Sequence, residues 1–340
     1  MKGPDSPLFA LENTVSPPAV SENTPSVETE VRPESPVPQE PVEPTPTPLS
    51  HKIVMLGVTG FPAMGLIAAI ALCWAWGFMG WFYLALMIGG WIISGLGITV
   101  GFHRLLTHRS FETYGPIRAM FALMGSLSIE GEPAVWCAMH RRHHRHSDQE
   151  GDPHSPYVDE GRTFKLLGGL WHAQLGWLFT SWWTRPELER FVPDLLKDPW
   201  VMAINRTFNF WVAVSLITPT VLGYLWEGSW RGAVLGLIWG GLVRVLMTHH
   251  ITWSINSICH VFGSREYDSG DRSTNNLLCG LLGHGEGWHN NHHAFPTSAR
   301  HGLKWWQFDF SWLVIRSLQF VGLAWNVRLP SKTALDAKRL

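Results

Sequence analysis

Seventeen histidines occur among the 340 residues, and their spacing carries the chemical signal. His140, His143 and His144 lie three and four residues apart, as do His289, His292 and His293. On a helix these spacings put side chains on one face. Asn256 and His260 are also four apart. His103 and His108 are five apart, about 140° around an ideal helix, so they converge only where the helix ends or bends. A lone histidine is usually a satisfied core or surface residue; clusters at this spacing are metal-ligand geometry. Neutral imidazole suits zinc, copper, iron and nickel. A structural zinc site takes four ligands, so nine imidazoles call for two metal ions. An all-nitrogen dinuclear site with open positions, at the mouth of a membrane, points to iron and oxygen chemistry.

The membrane follows from the elements that must hold these residues. No charged residue occurs from Ile53 to Phe102. One helix of that length would run about 75 Å, whereas the hydrocarbon core is about 30 Å thick and takes roughly 20 residues. The stretch therefore predicts a hairpin, with spans near 53–76 and 81–100 and a turn at Gly77-Phe78-Met79-Gly80. A second hairpin is expected over 207–226 and 232–248, around the polar turn Glu227-Gly228-Ser229-Trp230-Arg231. Arg244 interrupts the fourth span about 20 Å along the helix from Arg231, deep enough to snorkel to the far interface. Two hairpins put the N-terminus, the 101–206 segment and the C-terminal region on one side. Lys52, Arg104, Arg109 and Arg206 flank span ends there, and the positive-inside rule makes that side cytoplasmic. The fold class expected is an all-α integral membrane protein, with a helical cytosolic cap over 101–206 and 249–330 that carries the metal site. Residues 331–340 read as a C-terminal tail.

Composition agrees. Only 16% of residues are charged and 46% are hydrophobic, against roughly 25% charged in a soluble globular domain. Residues 1–50 are Pro- and Glu-rich with net charge −6 and read as a disordered tail. The remainder carries net charge +5 without a domain-wide Lys/Arg excess, which argues against a nucleic-acid partner. Cys73, Cys137, Cys259 and Cys279 form no CxxC pair and are expected to be reduced, mostly buried thiols.

The strings His103-Arg-Leu-Leu-Thr-His108, His140-Arg-Arg-His-His144, Asn256-Ser-Ile-Cys-His260 and His289-Asn-Asn-His-His293 fall in that order around two membrane hairpins. Together with Ser147–Pro156 and Gly285–Pro296 they closely resemble the membrane fatty-acid desaturases of the stearoyl-CoA (Δ9) type. The wording of the second and third boxes is nearer the bacterial branch than the animal enzymes. The resemblance covers roughly residues 52–330, and the combination of boxes is specific where any single HxxHH is weak.

The resemblance implies a di-iron centre with nine histidine ligands. One iron would take His103, His108, His144 and His293, with Asn256 reaching it through a water. The other would take His140, His143, His260, His289 and His292. Asp148, Asp152, His249 and Glu286 are candidates for holding ligand rings from behind; helix capping competes for the two aspartates, and packing competes for His249. His51, His146, His154, His172, His250, His284 and His301 match no ligand position.

The implied activity is an O2-dependent desaturation that places a cis double bond, at the Δ9 position, in a saturated C16 or C18 acyl chain carried on CoA or in a membrane lipid. Membrane lipids are its surroundings. Electrons would come from a separate ferredoxin- or cytochrome b5-like donor, since no His-Pro-Gly-Gly haem motif occurs. Arg141, Arg142 and Arg145 either dock such a donor or form a solvated face. A di-iron hydroxylase or ketolase is the alternative, followed by a membrane metal-binding or transport protein.

Overall fold

The structure, a computed structural model, describes residues 47–77, 79–159, 161–180 and 184–340. The expected disordered tail lies outside these residues, apart from positions 47–50. The first hairpin pairs α1 (Leu49–Trp76) with α2 (Trp81–Leu96). Gly77 and Gly80 turn the chain with positive φ, the conformation that only glycine adopts without cost. Pro62 sits inside α1, tolerated because neighbouring groups in a membrane bundle re-satisfy the freed backbone.

Past Leu96 the second helix does not stop. It continues as a π-helix over Gly97–Thr107, making one unbroken element of 27 residues. At 1.5 Å per residue that is about 40 Å, longer than the roughly 30 Å hydrocarbon core, so its last turns stand in the cap. Gly97 makes this possible on its flank: a Cβ there would lie 2.0 Å from the Gly125 backbone nitrogen, so only glycine lets the two backbones cross.

The cap begins with α3 (Gly115–Ser126) and α4 (Pro133–His146), each opened by a proline in its first turn. Next come α5 (Leu166–Trp171), a π turn over His172–Gly176, α6 (Trp177–Thr180), α7 (Arg185–Glu189) and α8 (Pro199–Arg206). Asp198 caps α8 by accepting from the Trp200 and Val201 N–H groups. The cap core lies where the π segment, α3 and α4 meet. Phe102, Phe111, Phe121, Cys137, Val201 and Ile315 are fully buried in it.

The second hairpin pairs α9 (Phe208–Glu227) with a composite helix of 31 residues. That helix comprises α10 (Trp230–Leu235), a π segment over Gly236–Val243, α11 (Arg244–Ser257) and a 3-10 turn to His260. The fourth crossing is inner and the first and third are outer: 67% of its most apolar window is buried, against 17% for α1 and α9. Arg244 does not snorkel. It is 3% exposed and donates to the Leu127, Ser215 and Gly240 carbonyls and to the Ser215 hydroxyl, tying α11 to α9 and to the end of α3.

After His260 come α12 (Leu277–Leu282), α13 (His289–Ala294), α14 (Phe310–Phe320) and α15 (Lys332–Ala337). Strand pairing is minor: Glu112–Thr113 with Ala324–Trp325, Val158–Asp159 with Arg162–Thr163, and isolated bridges. Residues 331–340, expected as a tail, fold back onto the cap. Lys338 Nζ donates to the Ala294 carbonyl at 2.7 Å, and the Leu340 N–H donates to the Glu266 carbonyl at 3.0 Å. All four cysteines are free, and three of them are buried.

Candidate metal centre

His103 and His108 converge at a helix end, with one feature the sequence spacing did not suggest. The helix ends between them, at Thr107 with His108 as its C-cap, as the spacing requires, but its last turns wind as a π-helix. The His108 N–H donates to the His103 carbonyl at 3.1 Å, an i→i+5 bond, and the Thr107 hydroxyl donates to Phe102 in the same register. This winding stacks residues five apart on one side. Their rings lie 4.8 Å apart between centroids.

The other ligand-bearing elements are short and pinned. In α13 the three histidines face inward while the two asparagines between them anchor the opposite side. Asn290 accepts from the Glu266 and Tyr267 N–H groups at 2.8 and 3.0 Å. Asn291 accepts from Asn275 Nδ2 and donates to the His301 carbonyl and Gln307. The -Asn-Asn- of the box is thus what turns a six-residue helix into a fixed platform.

Nine imidazoles meet in two adjacent groups. His103, His108, His140, His144 and His292 have ring nitrogens within 4.8 Å of one another, and so do His143, His260, His289 and His293. The rings group differently from the division that the resemblance implies: His140 and His292 lie with the first group and His293 with the second. Each HxxHH box is still split between the groups. Helical spacing explains the outcome, since His140 and His144 are one full turn apart and share a face, as do His289 and His293.

Carboxylates stand behind several rings. His143 Nδ1 lies 3.0 Å from Asp152, His260 Nδ1 3.0 Å from Asp148, His293 Nδ1 2.5 Å from Asp271, and His103 Nδ1 2.5 Å from Glu286. Each Nδ1–H donates outward and leaves Nε2 as a lone pair facing the centre. His143 and His293 decide the chemistry. Both Nδ1 protons are committed to aspartates, yet their Nε2 atoms face each other at 3.4 Å. Two opposed lone pairs fit a cation between them. Burial, then the neighbouring rings, holds His108, His140, His144, His289 and His292 well below the usual imidazole range. Neutral rings at pH 7 are what metal ligation requires. Burial raises a carboxyl, yet His143 holds Asp152 below the usual carboxylate range, and His293 does the same for Asp271.

Asp148, Asp152 and Glu286 thus stand behind rings of the two groups. Asp148 sits at φ +59°, a left-handed position that aspartate tolerates, at the corner just after α4. His249 does not back a ligand; its Nε2 lies 2.9 Å from the Ser128 carbonyl and its ring packs on Trp253. Sequence reasoning missed Asp271, and also the buried assembly behind Glu286. There, fully buried Arg104 donates to Glu286 and Asp309, and His301 Nδ1 lies 3.1 Å from Glu286. Arg104 stands beside a ligand in the first box and could have been found there; a lone loop aspartate had no signal. Arg141 is engaged by Asp194 and by the Leu106, Thr107 and Phe191 carbonyls.

A cavity of about 410 Å³ reaches the histidines. Ile98, Val135, Trp136, Met139 and Trp253 line its apolar wall, and His103, His140, His289 and Asn256 are exposed to it. Trp136 stacks on His140 at 5.2 Å and donates to Glu130, whose carboxyl burial pushes up to about 7.

A mostly helical chain with, among the described residues, four helices long and apolar enough to cross a membrane, and a buried polyhistidine centre at the end of an apolar cavity, defines a membrane metalloprotein class. Residues 77–325 match the fatty acid desaturase family. The chain is 43% identical over 282 residues to a hex-5-enoyl-[acyl-carrier protein] acetylenase of Moorena producens (strain JHB), covering 82% of this chain and 87% of that one. It is 43% identical over 242 residues to an sn-1 stearoyl-lipid 9-desaturase of Anabaena variabilis, with coverage of 71% and 82%. It is 42% identical over 241 residues to Delta-9 acyl-lipid desaturase 1 of Arabidopsis thaliana, with coverage of 71% and 73%. The chain belongs to the fatty acid desaturase family.

Proposed function

We propose that this chain is an O2-dependent acyl desaturase that introduces a cis double bond, at the Δ9 position, into a saturated C16 or C18 chain carried on CoA or in a lipid. The proposed ligands are the nine histidines of the two groups, with Asn256 reaching a metal through water, and the proposed metal is iron at both positions. The single observation that supports this most strongly is the pair of Nε2 lone pairs on His143 and His293, facing each other at 3.4 Å with both Nδ1 atoms held by aspartates. The donor set is all nitrogen with carboxylates behind it, and imidazole is a fitting ligand for redox iron.

Two bound irons, supplied with O2 and two electrons, would provide the oxidising power that no side-chain acid or base has toward unactivated methylenes. The chain's own residues supply position. Ile98, Val135, Met139 and Trp253 hold an acyl chain by apolar contact and exclude water. Trp136, stacked on His140, fixes the wall beside the ligands. The position of the double bond is set by how far the chain runs in before it meets His103, His140 and His289. Asp148, Asp152, Asp271 and Glu286 keep the ring protons on the outer nitrogens. Electrons come from a separate ferredoxin- or cytochrome b5-like protein, and the metal site faces the cytoplasm.

The test is mass spectrometry of lipids after expression in a host lacking unsaturated fatty acids. The expected product is a cis-Δ9 monoene that has lost one deuterium from each of carbons 9 and 10 of a labelled precursor. A hydroxylated product would overturn the reading. The acetylenase relative acts, by its name, on an enoyl chain; a triple bond made from a fed monoene would favour that second outcome.

A further inference from the structure

We propose that the cavity opens sideways into the bilayer between α1 and α9, and that the acyl chain enters from a membrane glycerolipid and not from a soluble thioester. This deepens the desaturase reading and rests on it. The cavity wall is not made by the cap alone. Val54, Met55 and Val58 of α1 and Phe208, Asn209 and Val212 of α9 belong to it. These residues sit on the two outer crossing helices, and Val58 lies inside the uncharged stretch. Val54 is 56% exposed and Asn209 is exposed, so both lie on the cavity wall and on the outer surface at once. The opening continues from there to Val58 and Val212, six residues beyond Lys52 and Arg206 in the apolar helices, where it faces acyl chains.

The floor of this opening points the same way. Trp177 and Leu178 of α6 line the cavity. His51 lies 3.0 Å from the Leu178 carbonyl, and the Thr47 hydroxyl donates to Thr180. These contacts fix α6 at the first turn of α1. The preceding helix α5 turns Leu167 and Trp171 outward, 81% and 64% exposed. Large apolar side chains exposed beside a span end suit a membrane interface. Lys52, in the first turn of α1, and Arg206, two residues before α9, are both exposed at the ends of the helices that flank the opening. Basic residues at a span end suit a lipid phosphate. A glycerolipid whose phosphate rests between them would feed one acyl chain past Val54 and Asn209 toward His103 and His140.

The experiment uses the full chain in a host that makes no unsaturated fatty acids, pulsed with labelled stearate, with the acyl-CoA, acyl-carrier-protein and glycerolipid pools analysed separately over time. The labelled monoene should appear first in glycerolipid. Val58→Trp and Val212→Trp, which fill the opening from either helix, should each lower turnover by about tenfold or more with iron content unchanged. Leu222→Trp, on α9 away from the cavity, should leave turnover as it is. A monoene that appears first on CoA or carrier protein, or full activity in both plugged variants, would overturn the lateral entry while leaving the desaturase reading intact. No monoene in any pool from the natural chain would overturn both. The order of labelling also decides the matter where a plugged variant fails to fold.

Discussion

The two ends of the cavity treat the same kind of group in opposite ways. At the metal end, Asp148, Asp152, Asp271 and Glu286 each face a ring nitrogen and are held below the usual carboxylate range despite their burial. At the chain end, Glu130 faces an apolar wall and burial pushes it up to about 7. Burial is common to both ends; what differs is the imidazole that faces each carboxylate at the metal end. The metal end is organised to carry charge, and the chain end resists it. The metal end is itself uneven. Three of the four rings in one group have an aspartate behind them, whereas only His103 among the other five stands against a carboxylate, and that carboxylate is shared with Arg104 and His301.

The largest expected effect breaks the metal end outright. His140→Ala and His260→Ala remove one donor from each group and should reduce turnover to background. Iron content should fall from about two to about one per chain, as an incomplete imidazole set loses its ion. His146→Ala should retain activity, because that ring belongs to neither group. Metal analysis beside product assay checks this. Equal losses in all three variants would mean that the grouping does not mark the ligands.

Next is the unevenness between the groups. Asp271→Asn keeps size but removes the charge that fixes the His293 tautomer, and such outer partners typically cost about 10–100-fold in metal affinity or activity. The four-ring group should then release its iron to a chelator faster than the natural protein does, with the five-ring group unchanged. Iron content and chelation kinetics read the two populations separately. A uniform loss of both irons would show that the groups act as one unit.

How much of this was legible in the sequence depends on the range of the interaction. The first hairpin follows from the uncharged stretch 53–102 and the second from the apolar runs 207–226 and 232–248, because membrane thickness is an external ruler. The nine histidines follow from i, i+3 and i+4 spacing within boxes. Which box shares an ion with which could not be read, since it depends on how α4 and α13 are rotated against the π segment. The π winding itself was invisible; only helix end or bend suggested itself for His103 and His108. Asp271 lies in an irregular loop after His260, where no period marks it. Arg244 was misjudged because depth along one helix says nothing about the carbonyls that α9 and α3 bring to it.

The smallest expected effect belongs to the chain end. Glu130→Gln keeps an acceptor for the Trp136 indole N–H, which lies 3.1 Å from the carboxyl, and removes only the ability to ionise. The sign follows from the raised value. Below pH 4.5 the carboxyl is protonated both folded and unfolded, so the substitution changes nothing through charge. Between 4.5 and about 7 the unfolded chain ionises and the folded one resists, so natural stability declines with rising pH; above about 7 the full cost is present. Glu130 is partly exposed, which moderates that cost to on the order of 1 kcal/mol. The variant should therefore match the natural protein at pH 4 and melt higher at pH 8, with turnover changed little because no ligand is touched. A variant less stable than the natural protein at pH 8 would mean that the carboxylate is stabilised where it sits, and the contrast between the two ends would fail at its weaker end.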